Sequence, residues 1–174
     1  MMPGRAVIIL AGAVAVALCL MPQPVRAQRT AGADALAIIV HRSNPVNELS
    51  STQLRRIYMF EIQNWPQGRK ITVMLREKGQ PERADAIRLI CGMAEAEYDR
   101  HVLLQTFRGN VGWGPRSIES VGAMLRFIFN APGAIGHVPA DQVDDSIKVL
   151  RIDGLLPSDS AYPLRRGSRT GRDD

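Results

Sequence analysis

The sequence predicts an α/β protein, a mixed and mostly parallel sheet flanked by helices. Two observations carry this. Short apolar, β-branched runs recur at Leu36–Val40, Ile71–Leu75 and Ala134–Pro139, and segments of helical period lie between them. Proline and glycine punctuate the changes, at Asn64-Trp65-Pro66-Gln67-Gly68 and again at Ala131-Pro132-Gly133.

Leu36-Ala37-Ile38-Ile39-Val40 has no polar interruption, as expected of a strand buried on both faces, the pattern of a parallel sheet. His41-Arg42-Ser43-Asn44-Pro45 ends it, because Pro45 has no amide hydrogen for a ladder. Ser50 and Gln53 then stand in capping-box spacing, flanked by Leu49 and Leu54 as a hydrophobic staple. Leu54, Ile57 and Tyr58 form the inward stripe of that helix. A second strand, Ile71–Leu75, ends in Arg76, and Glu77–Pro81 is a polar loop. Helices are expected over about 82–91, with Ala84, Ile87 and Cys91 inward, and over about 94–107. Three glycines surround Trp113 in a loop. Ser117 is placed to cap a further helix with the apolar stripe Ile118, Val121, Leu125, Ile128 and Phe129. Ala134–Pro139 and Ile147–Ile152 complete the strands.

The 174 residues suffice for one domain. Residues 1–27 read as a cleavable export signal: Arg5, an uncharged run from Ala6 to Leu20, then Val25-Arg26-Ala27. That run is shorter than the roughly 20 residues of a membrane span. Residues 28–35 read as a disordered lead-in, 36–154 as the domain and 155–174 as a polar, basic tail. The formal charge of +5 falls to +3 once Arg5 and Arg26 are removed. Arg165, Arg166, Arg169 and Arg172 against Asp173 and Asp174 supply most of the remainder, so the domain itself lacks the basic face of a nucleic-acid binder. Cys91 is the one cysteine after the signal; it has no partner for an intramolecular disulfide and reads as a buried thiol. No nucleophile elbow, zinc-protease helix, P-loop or dinucleotide fingerprint occurs, so no enzymatic reading and no cofactor is supported.

In α/β sheets ligands gather beyond the carboxyl ends of strands. That rule points to His41–Asn44, Arg76–Glu82 and Gly136-His137, all of which carry groups able to meet a small anion. His41 and His137 could share a cleft, but without a spaced carboxylate they make no metal site.

His41-x-Ser43-Asn44-Pro45-Val46, then Leu49-Ser50-x-x-Gln53-Leu54-Arg55-x-Ile57-Tyr58 and Trp65 with a following glycine, resemble the periplasmic phosphate-binding proteins of ABC importers. Pro132-Gly133-Ala134-Ile135-Gly136 is similar to a second signature of that family. The resemblance runs from about Leu36 to Gly154 and is to short members. It implies a compact version of the type II periplasmic binding-protein fold, a periplasmic location and non-covalent capture of phosphate or a similar oxyanion. It also implies an importer permease or other membrane partner. The ligand-binding residues expected are Ser43, Asn44, Arg76, Gln80, Ser117, Gly136 and His137.

One segment departs from the family. Where its members read Ser-Gly-Thr at the anion-cradling helix start, this chain has Gln80-Pro81-Glu82. Pro81 removes an N–H donor, and Glu82 sets a carboxylate where an anion would sit. Two unit charges about 4 Å apart repel by roughly 1–4 kcal/mol at surface dielectrics. The alternative expectation is therefore a scaffold that has lost phosphate binding and serves a membrane partner as an interaction or sensory module.

Overall fold

A computed structural model describes residues 34–166. The segment expected to be an export signal, most of the expected lead-in and the last eight residues lie outside them.

Seven strands and four α-helices follow one another among the described residues. β1 (Leu36–Val40) leads to the short β2 (Glu48–Leu49) and α1 (Ser51–Tyr58). β3 (Thr72–Arg76) is followed by α2 (Pro81–Ala86), which continues as a π-helical turn over Ile87–Cys91, and by α3 (Glu95–Phe107). β4 (Arg116–Ile118), α4 (Val121–Asn130) and β5 (Ala134–Pro139) come next, then β6 (Lys148–Val149) and β7 (Arg151–Ile152).

The main sheet has the order β4-β3-β5-β1-β6. β4, β3 and β5 are mutually parallel, while β1 is antiparallel to both β5 and β6. Four strands thus point one way and β1 runs against them. All five residues of β1 are buried, as its sequence requires, because both sheet faces are covered. Leu36, Ile38 and Val40 face a core built with α1, α2 and the π-helical turn; Ala37 and Ile39 face a second core under α4. Burial on both faces holds for either strand direction, which is why the run alone suggested a parallel strand.

The first helix forms as its residues dictate. Gln53 N–H donates to Ser50 Oγ (3.1 Å) and Ser50 N–H to Gln53 Oε1 (2.9 Å), while Leu54, Ile57 and Tyr58 point inward.

Three expectations about the helices are corrected. Ser117 lies in β4, and Ser120 caps α4 by accepting from Ala123 N–H at 3.1 Å. Phe129 leaves the core, 52% exposed, because Met124 and Ile128 form the buried stripe of α4 and Phe129 lies about 100° further round. On α2 the inward residues are Arg83 and Ala86, continuing to Ile87, Ile90 and Cys91, whereas Ala84 is exposed. Burial pushes the Cys91 thiol up to about 12.

The segment expected to be a polar tail is part of the body up to Arg166. Tyr162 and Leu164 are buried in the first core, and Tyr162 Oη donates to Leu36 O at 3.0 Å. Leu36 N–H donates to Leu164 O at 2.9 Å, and Ala35 bridges Arg165. The two apolar side chains, two residues apart, anchor an otherwise polar stretch along β1.

Candidate functional site

The reversed direction of β1 decides which expected residues can meet. Val40 pairs with Ile135 at the start of β5, and Leu36 with Pro139 at its end. The loop after β1 therefore leaves the sheet at the edge opposite to the carboxyl tips of β3, β4 and β5. Five strand residues, about 3.4 Å each, put roughly 17 Å between those edges.

Ser43 and Asn44 belong to the first edge. Ser43 Oγ and backbone N–H both engage His41 Nδ1, at 2.8 and 3.0 Å. Asn44 is buried; its Oδ1 accepts from Val46 N–H at 3.0 Å, an Asx turn, and its carbonyl accepts from Lys148 Nζ. These residues build the turn and its anchorage to β6.

Arg76, Gln80 and Ser117 belong to the other edge. Arg76 ends β3 beside Ile118, with Ser117 paired to Leu75. The Arg76 guanidinium is buried; Nη1 donates to Ile118 O at 3.2 Å, while Nε has no hydrogen-bond partner. Gln80 precedes α2 in extended conformation and makes no side-chain cap. Ser117 is exposed on the outermost strand. Glu82 sits in the first turn of α2 with Oε2 buried and without a hydrogen bond.

Gly136 has a packing role. A Cβ there would stand 2.7 Å from Met124 Sδ, so the missing side chain lets α4 settle on β5. His137, the next residue, points to the opposite face and is 0% exposed, its ring 6.5 Å from that of Tyr58. Neither ring nitrogen has a partner at hydrogen-bonding geometry. Burial, reinforced by the Arg76 and Arg83 charges, lowers its pKa to about 4, and the nearby Glu82 backbone offsets part of this. The imidazole is neutral at physiological pH. His41 lies beyond the other end of β1, so the two histidines share no cleft.

Sequence reasoning missed Arg83. It is 2% exposed and spends its guanidinium on three partners: Glu95 Oε1 at 2.6 Å, Asp99 Oδ1 at 2.8 Å and Arg76 O at 3.2 Å. Lys78 Nζ also reaches Asp99, at 2.7 Å. A usable signal existed: an arginine within an apolar helical stripe, followed by carboxylates four residues apart on the next helix, Glu95 and Asp99. Arg76, Glu82, Arg83, His137 and the unbonded Tyr58 hydroxyl make a buried polar layer beneath the tips of β3 and β5.

A family model described as the PBP superfamily domain matches residues 24–144. The chain belongs to that superfamily. Among solved structures, it is similar to a protein from Clostridium perfringens described provisionally as a phosphate ABC transporter substrate-binding protein, with bound phosphate. The identity is 26% and the TM-score 0.58, over 71% of this chain and 47% of that one. An ABC-type phosphate transport receptor from Vibrio cholerae matches with 26% identity and a TM-score of 0.58, over 71% and 48%. PstS from Borrelia burgdorferi, at 18% identity, shares the fold with a TM-score of 0.60 over 77% and 55%. This member of the PBP superfamily therefore spans about half the length of these solved relatives.

Proposed function

We propose that this chain is a periplasmic solute-binding protein that captures a small oxyanion, phosphate or a close analogue, without covalent chemistry, on behalf of a membrane importer. The anion would sit at the carboxyl tips of β3 and β4, against Arg76, Gln80 and Ser117. The observation that carries this reading is Arg76: a buried guanidinium at a strand tip, with Nε unused, in the place expected of an anion-binding arginine. The two 26%-identical relatives, one described with bound phosphate, support the ligand class. Ser43 and Asn44, at the opposite edge of the sheet, have no part in this site.

The test is calorimetric titration of the signal-free protein with inorganic phosphate, repeated with Arg76→Gln. Saturable heat that the substitution abolishes is the expected result. Absence of heat at millimolar phosphate would overturn the capture role.

A second reading has one specific observation in its favour. The Glu82 carboxylate, with Oε2 buried, already lies in the first turn of α2. It supplies the negative charge that the positive end of a helix attracts. With its own carboxylate as a built-in substitute, the domain would serve a membrane partner as an interaction or sensory module rather than carry an anion.

A further inference from the structure

A second hollow, of about 610 Å³, lies away from the strand tips. It opens beside the first half of β3, along Lys70–Val73. β4 pairs with β3 only from Met74 onward, so this stretch of the outer edge has no strand beside it. Ile57, Phe60, Ile62 and Val111 give it apolar walls, and Trp113, 85% exposed, stands at its mouth. The volume is within the range of small-molecule sites.

Three features mark it as built. Phe60 holds a left-handed backbone (φ 62°), which costs a bulky L-residue energy that other contacts must offset. The Gln63 amide fixes that turn by donating to Phe60 O (3.2 Å) and ties it to the far wall by donating to Asn110 O (2.7 Å). The Trp113 loop is pressed onto α3 so closely that a Cβ at Gly114 would stand 3.0 Å from Val102 Cγ1.

The polar lining gives the sign of the ligand. Lys70 and Arg116 both border the hollow, no acidic residue does, and neither cation forms a salt bridge among the described residues. Arg116 stacks over the Phe127 ring instead, 5.7 Å from its centre.

We propose that this hollow is a second ligand site, separate from the oxyanion site, for an amphipathic organic anion: an apolar body against Phe60 and Trp113, and a carboxylate between Lys70 and Arg116. The probe is 4-phenylbutyrate, with 4-phenyl-1-butanol as its uncharged counterpart. Trp113 reports, since the only other tryptophan, Trp65, is buried with its Nε1 bonded to Gly133 O. Saturable change in tryptophan emission is expected with the acid, absent in Trp113→Phe. Both the alcohol on the unaltered protein and the acid on a Lys70→Gln/Arg116→Gln variant should bind about tenfold more weakly, the loss expected of one charge-assisted contact. Millimolar inorganic phosphate should not displace the acid, which separates this site from phosphate capture. No saturable change, equal binding of acid and alcohol, or indifference to loss of the two cations would each overturn the proposal.

Discussion

Arg83 reaches back from α2 to donate from Nη1 to the backbone carbonyl of Arg76, 3.2 Å away, so one buried arginine holds the strand end that presents another. The Arg83 head is simultaneously gripped by Glu95 and Asp99 of α3. Removing it strips both carboxylates of their inner partner and frees the end of β3. Arg83→Met should lower the unfolding free energy by about 2–3 kcal/mol, below the full cost of breaking a buried pair because both carboxylates keep some contact with water. Denaturant unfolding at neutral pH measures this. Arg83→Lys should recover less than half, since an ammonium cannot span three acceptors in a fork.

The buried His137 gives the fold a pH dependence of known sign. Its imidazole titrates near 4 when folded, against an ordinary value of 6.5. Between those values the unfolded chain carries the extra proton and the folded chain does not, so stability is complete above pH 6.5 and declines as pH drops toward 4. The loss between pH 7.5 and pH 5 should be about 2 kcal/mol. Urea unfolding at the two pH values checks it. His137→Leu, which cannot take up the proton, should flatten most of that difference.

Gly133 and Gly122 should respond to alanine with opposite signs. A Cβ on Gly133 would stand 2.5 Å from the Lys70 carbonyl, a backbone atom that cannot turn aside. Gly133 O also accepts from Thr72 N–H and Trp65 Nε1, each at 3.1 Å, so relief by backbone movement would break two hydrogen bonds. Gly133→Ala should cost about 1–3 kcal/mol. Gly122 lies in the first turn of α4, where a Cβ would meet only Arg126 Nη1 at 3.7 Å, and Gly122→Ala should gain up to about 1 kcal/mol from helix propensity. Paired thermal and urea melts give both signs.

What was legible in the sequence was local. The Ser50–Gln53 capping box and the Leu54, Ile57 and Tyr58 stripe depend on residues within two turns of one another, and they fold as read. The direction of β1 depends on which strands it joins, and an apolar run is the same read either way. That one long-range fact separates Ser43 and Asn44 from Arg76, Gln80 and Ser117. Arg83 was missed for a related reason: its acceptors Glu95 and Asp99 come from the next helix, and an arginine with unseen partners reads as solvated. The burial of Tyr162 and Leu164 was hidden by the polar residues around them.

Glu82 decides between capture and its loss. Its Oε2 is buried in the first turn of α2, at the helix end whose positive pole would also favour a bound oxyanion. Glu82→Thr removes that charge and adds a hydroxyl donor; Glu82→Gln removes the charge with little change of shape. Repulsion of roughly 1–4 kcal/mol between the carboxylate and an anion about 4 Å away predicts at least about a fivefold gain in phosphate affinity for both variants. Threonine should gain more, because its hydroxyl can donate to the anion. Calorimetry with inorganic phosphate on the three proteins measures this. If the unaltered protein gives no heat and the threonine variant does, the scaffold keeps a phosphate site that its own glutamate fills. Equal affinity in all three would mean that the anion binds away from the start of α2, and the assignment of Gln80 to the site would fall with it.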